Sequence, residues 1–386
     1  MAVTTRSPAP RTVALAGLSA LAVAMGIGRF AFTPILPMMQ ADAGLSVVEG
    51  GWLASANYAG YLLGAVLATA VPIRATTAIR VALAFTGVTT LAMAFTRGLV
   101  VWLALRALAG VASAWVLVFV SAWCLGALAP LGRPQLQSAV FAGVGVGTAV
   151  AGAVCIALMQ AQATSAAAWA ALGVLSLIVT ALTWPIFRDP GSTVAGAETR
   201  TSPASGRSAD RVRLAVCYGV FGFGYIIPAT FIPAMARDIV RDPAVFGWAW
   251  PVFGITAAAS TFAAALVAPV VSTRRLWALA HVVMAAGVMF PAIASGLVPI
   301  LGAAALVGGT FMVATMTGMQ EARRVGGAHG RVLMATMTSA FAAGQIAGPL
   351  AVSSLVQAGG GFSAALLVAA GLLAITAGAL FAPGRD

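Results

Sequence analysis

The sequence predicts an all-α polytopic membrane protein, with twelve transmembrane helices in two six-helix pseudo-symmetric halves. Three observations carry this expectation. The 386 residues are 61% hydrophobic and only 8% charged, with a mean hydropathy of +1.00. A soluble domain carries about 25% charged residues, so most of this surface must face lipid. The apolar runs reach the ~20 residues that cross a bilayer as a helix. The first run also returns later in the chain. Gly26, Gly28, Pro37 and Met39 recur 196 residues on as Gly222, Gly224, Pro233 and Met235, and Gly51-Trp52 falls on Gly247-Trp248 at the same offset.

Taken in order, the predicted spans are 12–38, 48–71, 77–95, 98–128, 135–159, 165–187, 212–235, 247–270, 276–294, 297–319, 332–356 and 362–382. The fourth is long enough to include interfacial residues. The first follows Arg6 and Arg11 as a signal peptide would. It is too long for one and lacks a small-residue cleavage site, so it is expected to stay in the mature chain. Residues 1–187 form the expected N-terminal half, 188–211 a linker and 212–386 the C-terminal half. The linker is rich in Ser, Thr, Gly, Pro and Ala, the composition of a flexible segment.

Arginine placement predicts orientation. Alternate loops hold Arg6, Arg11, Arg74, Arg80, Arg133, Arg188, Arg200, Arg207, Arg211, Arg213, Arg274, Arg275, Arg323, Arg324, Arg331 and Arg385. The opposite side holds Arg97, Arg237 and Arg241. The positive-inside rule then puts both termini in the cytoplasm and requires an even number of spans. Trp52, Trp102, Trp169, Trp184, Trp248 and Trp277 lie near predicted span ends, where amphipathic rings settle among headgroups.

Several chemistries are excluded by residue type. All 21 basic residues are arginine, so there is no P-loop lysine and no Schiff-base lysine. The net charge of +12 is scattered between apolar runs rather than gathered into a nucleic-acid footprint. Cys124, Cys155 and Cys217 lie in or beside apolar runs and read as small buried hydrophobes. No metal-ligand cluster, nucleophile motif or dinucleotide fingerprint occurs. Neither an enzyme nor a cofactor is expected.

Two arginines fall well inside spans, Arg29 and Arg106. Each costs ~2.5–3.5 kcal/mol at a helix centre on insertion scales. Counted along the helices at 1.5 Å per residue, both lie roughly 12–15 Å below the outer surface. Two readings are open for each: a bidentate contact to an anionic substrate, or a tie between helices that serves a broken backbone near Pro34 and Pro37. Thr33 follows Arg29 by one turn and is expected on its face. Span 2 carries a line at four-residue spacing, Glu49, Leu53, Asn57 and Tyr61, bordered by Tyr58, that should face the bundle interior. Tyr225 and Gln345 are the comparable polar candidates in the second half; each serves equally well as packing glue.

No span holds a carboxylate near its middle; Glu49, Glu321 and Asp42 lie at span ends or in a loop. Proton coupling would fall to Glu49 at the outer mouth or to His281 in span 9. The bland readings are an interfacial charge and a packed, hydrogen-bonded histidine. Gly143, Gly145 and Gly147 in span 5, and Gly344 and Gly348 in span 11, are expected to let helices approach closely. The recurring glycines and prolines predict a bent, tightly packed first helix in each half.

Arg106-Ala-Leu-Ala-Gly110 in span 4 resembles the arginine-glycine signature of the major facilitator superfamily, and Gly344 to Pro349 resembles its glycine-proline motif, here in span 11. The superfamily's loop signature after span 2 is eroded: Gly64 is followed by Pro72, Arg74 and Arg80 with no acid. The segments Gly26 to Pro37 and Gly51 to Gly64 resemble hallmark stretches of the YbfB/YjiJ-type bacterial branch. The resemblance covers essentially the whole chain. It implies a secondary transporter working by alternating access, with a central site between halves that rock.

Two buried positive charges without a mid-span negative one point to a small organic anion as cargo, taken up by a monomer in the lipid bilayer. Substrate contacts are then Arg29, Thr33, Asn57, Tyr61, Arg106, Tyr225 and Gln345. An exporter of apolar or drug-like compounds is the alternative within the fold. A non-transporting membrane sensor or an intramembrane enzyme is the alternative outside it. The scarcity of acids and histidines weighs against both of the latter.

Overall fold

The computed structural model describes residues 9–188, 208–239, 248–294, 296–357 and 361–382. Among them every regular element is helical. In chain order these are α1 (Pro10–Leu21), a π-helical segment (Ala22–Ile27), α2 (Phe32–Asp42), α3 (Val47–Ala70), α4 (Ala75–Phe95), α5 (Leu99–Leu128), α6 (Pro134–Gln160) and α7 (Ser165–Thr183). Then follow α8 (Ser208–Ile239), α9 (Ala249–Val267), α10 (Thr273–Ile293), α11 (Leu297–Gly326), α12 (Gly330–Gln357) and α13 (Gly361–Phe381).

Eleven stretches are apolar and long enough to cross a membrane. α1, the π segment and α2 together make one of them, Pro10–Asp42. The longest, Leu297–Val352, has 56 residues, about twice what one bilayer crossing takes. The 3-10 turn Gly327–His329 divides it into α11 and α12. Residues 189–207, most of the expected linker, lie outside the described residues; α8 begins at Ser208, within the stretch assigned to that linker.

Side chains sort as a lipid solvent requires. Phe95, Val100, Leu182, Leu266 and Ile375 are exposed, a pattern that water would penalise and hydrocarbon does not. Inside, one apolar cluster runs from Val13 of α1 to Leu380 of α13 and draws on helices from both ends of the chain.

Small residues bring the helices to backbone contact. A Cβ on Gly147 of α6 would lie 2.2 Å from Ala22 O, and one on Gly344 of α12 would lie 2.1 Å from Gly219 O of α8. Each half thus presses its first span against its fifth at a glycine, as the repeat predicts. The seam between α6 and α9 works the same way: Gly145 faces Gly254 O, and Gly254 faces Gly145 O, at 2.5 and 2.7 Å from the added Cβ. α3 meets α12 across the middle of the molecule, with the rings of Tyr61 and Phe341 6.4 Å apart.

The two copies of the repeated segment differ in their helix assignment. The first span is interrupted, by the π segment and the turn at 28–31, whereas α8 is assigned as one continuous α-helix of 32 residues. The shared glycines therefore specify close packing in both copies, and the interruption belongs to the first alone.

Candidate functional site

The interruption has a hydrogen-bonding cause. The amides of Gly28 and Phe30 reach back five residues, to Val23 O at 2.8 Å and Met25 O at 3.1 Å, which is π-helical bonding. Past the turn, the Thr33 amide donates to Phe30 O at 3.2 Å, and Pro34 has no amide hydrogen to donate. Carbonyls are left facing the bundle, where each unpaired group is costly. Arg106 of α5 satisfies two of them. Its Nη1 donates to Gly28 O and its Nη2 to Arg29 O, each at 3.0 Å. Arg106 is buried, with its guanidinium 4.9 Å from the Phe32 ring centre.

The tie extends to α3. Asn57 Nδ2 donates to Arg106 O at 3.0 Å. Gly110, one turn along α5, permits the approach, since a Cβ there would lie 2.2 Å from Asn57 O. Both terminal nitrogens of Arg106 are thus committed to backbone, and α3, α5 and the broken span are locked together.

Arg29 is placed differently. The turn throws its side chain toward the second half, where Nη2 donates to Gln345 Oε1 of α12. Gln345 Nε2 in turn donates to the Tyr225 hydroxyl of α8 at 2.9 Å. The guanidinium carbon lies 3.8 Å from the centre of the Tyr61 ring and within 5.6 Å of those of Tyr58 and Phe30. Arg29, Asn57, Tyr61, Tyr225 and Gln345 are all buried, none more than 3% exposed, so the group is closed to both sides in this conformation. Yet Arg29 Nε and Nη1, Tyr61 Oη and Asn57 Oδ1 have no hydrogen-bond partner. Arg29 is thus a buried cation with two nitrogens unpartnered and no carboxylate paired with it among the described residues, an arrangement that calls for an explanation.

The structure thus brings together Arg29, Asn57, Tyr61, Arg106, Tyr225 and Gln345 from five separate helical stretches. Thr33 lies in α2 just past the turn and is half-buried.

Glu49 stays apart: it forms a capping box at the start of α3, accepting from Ser46 N at 2.8 Å and Ser46 Oγ at 2.7 Å. His281 is fully buried in α10 and satisfied at both nitrogens. Trp277 Nε1 donates to its Nε2 at 2.9 Å, and its Nδ1 lies 2.9 Å from Thr376 Oγ1 of α13. Because Nε2 accepts, the network assigns the proton to Nδ1.

Two features had no signal that sequence reasoning used. The first is an aromatic lattice around Arg29. Tyr225 and Phe341 stack at 5.5 Å with 12° between planes, Phe311 lies 4.6 Å from Tyr225, and Phe30 meets Phe311 at 5.7 Å and Trp250 at 6.2 Å. The second is an ion-pair cluster at the end of the bundle that holds the α10–α12 arginines. Arg274 bonds Asp210 and also Glu321, the latter at 2.9 Å; Arg213 pairs with Asp210 at 2.6 Å and Arg324 with Glu321 at 2.8 Å. It joins α8, α10 and α11. An open apolar groove of about 730 Å³ between α8 and α12, lined by Val216, Phe223, Ala340 and Leu372, holds none of the predicted site residues.

The comparisons with known proteins agree with this architecture. Residues 21–381 match the family described as "Uncharacterised MFS-type transporter YbfB". No curated protein matches by sequence. Among solved structures, the human organic anion transporter MFSD10 (TETRAN) superposes with a TM-score of 0.71 over 97% of this chain and 100% of that one, at 16% identity. That likeness is one of fold. With the family match spanning nearly the whole length, the chain belongs to the YbfB family of MFS-type transporters, multi-pass proteins of the membrane.

Proposed function

We propose that this transporter carries a small organic anion by alternating access, with Arg29 as the anion contact. The carrying observation is the contrast between the two buried arginines. Nη1 and Nη2 of Arg106 each donate to backbone, at Gly28 O and Arg29 O, and only its Nε lacks a partner, whereas Arg29 donates to Gln345 alone and both its Nε and its Nη1 are buried without a partner. Arg29 also sits where the N-terminal and C-terminal helices meet, held on one side by its own turn and on the other by Gln345. A contact that spans the two moving bodies lets substrate binding influence how they rock. Asn57, Tyr61, Tyr225 and Gln345 complete the lining.

The wider reading follows from the same features. Division of the longest apolar stretch at Gly327–His329 supports twelve spans, six on each side of the segment 188–207. The arginine asymmetry supports cytoplasmic termini in a bacterial inner membrane. One chain supplies both walls of the site, which supports a functional monomer.

The test is reconstitution of the Arg29→Gln variant into proteoliposomes. Anion exchange should fall to background while the purified variant keeps its thermal stability and its monodisperse elution. Transport at the wild-type rate by a folded Arg29→Gln protein overturns the anion site.

A further inference from the structure

The walls of the Arg29 site narrow the cargo further. We infer that the substrate is an aromatic monocarboxylate, an anion that brings a ring as well as a charge; this rests on the reading of Arg29 as the anion contact.

The polar inventory argues for one carboxylate. Arg29 is the cation whose Nε and Nη1 are unspent, and the Tyr61 hydroxyl is the unpaired group whose ring it covers. Together they offer donors for one carboxylate, by the charge-assisted bonding that arginine favours. Arg106 is anchored to backbone through both Nη1 and Nη2, at Gly28 O and Arg29 O, and keeps fewer idle nitrogens than Arg29.

The apolar inventory argues for a ring. The rings of Phe30, Tyr58 and Tyr61 lie against the Arg29 guanidinium, and Phe311, Phe341 and Tyr225 from the other half pack on those rings and on one another. Phe30 meets Phe311 and Tyr61 meets Phe341 across the line between the halves. In this closed form the rings satisfy one another. Alternating access has to part those pairs, which bares ring faces on both bodies. An aromatic cargo restores edge and face contacts to both at once, whereas a saturated ring restores apolar area without the quadrupole match. Arg29 gains as well, because its hold on the Tyr61 face is replaced by charge pairing to a ligand whose own ring takes that face.

Two restored ring contacts predict about tenfold tighter binding of an aryl acid than of its saturated analogue. The probes are benzoate and phenylacetate, against cyclohexanecarboxylate and cyclohexylacetate, with succinate as an aliphatic dianion. Each is measured as an inhibitor and as a driver of counterflow in proteoliposomes holding the full chain, and as a stabiliser of the purified protein. The inference expects the aryl acids to be preferred about tenfold, succinate to be inert, and the ratio of aryl to saturated affinity to shrink several-fold in Phe341→Leu.

Equal affinity for aryl and saturated acids, with both lost in Arg29→Gln, overturns the aromatic inference and leaves the anion site standing. Preference for succinate overturns the single carboxylate. No effect from any of the five anions overturns the inference in full. Undiminished transport of benzoate by Arg29→Gln overturns the anion reading itself.

Discussion

The two copies of the repeated segment share their packing and differ in their backbone. In the first, Gly147 of α6 presses on Ala22; in the second, Gly344 of α12 presses on Gly219. There the likeness ends. The first copy is broken at 28–31 and carries Arg29; the second runs through as α8 and carries Tyr225. The break needs an external donor to satisfy its carbonyls, and Arg106 provides it from α5. In the second half α11 has no arginine before Arg323. The repeated glycines thus serve packing in both copies, and the proposed site lies where the first copy departs from the second. The departure takes two arginines with separate duties. Arg106 pays for the break, and Arg29 is aimed by it.

Arg106→Leu should make the largest difference, because it attacks what the first copy alone requires. It strands Gly28 O and Arg29 O in a buried setting, at about 1–3 kcal/mol for each unsatisfied group. The expected result is a loss of about 2–6 kcal/mol, read as a much lower yield of folded protein and a lower unfolding midpoint in detergent. Arg29→Gln should leave both readouts near wild type. If the two variants destabilise equally, the division of labour between the arginines is wrong.

Gly147→Ala and Gly344→Ala test the shared part. Each added Cβ meets a backbone carbonyl at 2.2 or 2.1 Å, and backbone cannot swing aside as a side chain end can. Overpacking of this kind costs about 1–3 kcal/mol. The two variants should lose similar stability, measured by thermal unfolding of the purified chains, while Gly378→Ala, which meets nothing within 4 Å, should lose little. A large cost at one glycine and none at the other would break the equivalence of the two copies.

The parts of this architecture that were legible in the sequence are those governed by one-dimensional rules. Apolar run length gives the helices, and the predicted spans match them within a few residues at most ends. The four-residue spacing of Leu53, Asn57 and Tyr61 places all three on the buried face of α3. The shared depth of Arg29 and Arg106 also follows from counting residues.

What could not be read was the assignment of partners. Nothing local to Arg106 names Gly28 O and Arg29 O, 78 and 77 residues away, as its acceptors. The Arg29–Gln345 bond crosses 316 residues. Phe311 and Phe341 look like ordinary apolar residues in an apolar chain until their rings are seen to meet. Asp210, Arg274 and Glu321 each lie near a predicted span end, where a charge is unremarkable by itself, and only the bundle shows that they pair.

The smallest effect should come from Glu49→Gln, at the mouth of α3 in the first half. The sequence offered Glu49 as a proton carrier; the structure occupies it as the third residue of a capping box with Ser46. Glutamine still reaches back to the Ser46 amide, so the cap survives. What is lost is the attraction of a negative charge to the helix N-terminus, which solvent screens at this exposed position. Stability should stay near wild type. Uptake driven by an imposed pH gradient should keep its wild-type dependence on the gradient, and so should counterflow, which needs no coupling. The informative failure is a split between them: counterflow preserved and gradient-driven uptake abolished would mean that Glu49 carries the proton despite its cap, and that coupling, unlike anion binding, resides at the edge of the first half rather than at the line where the halves meet.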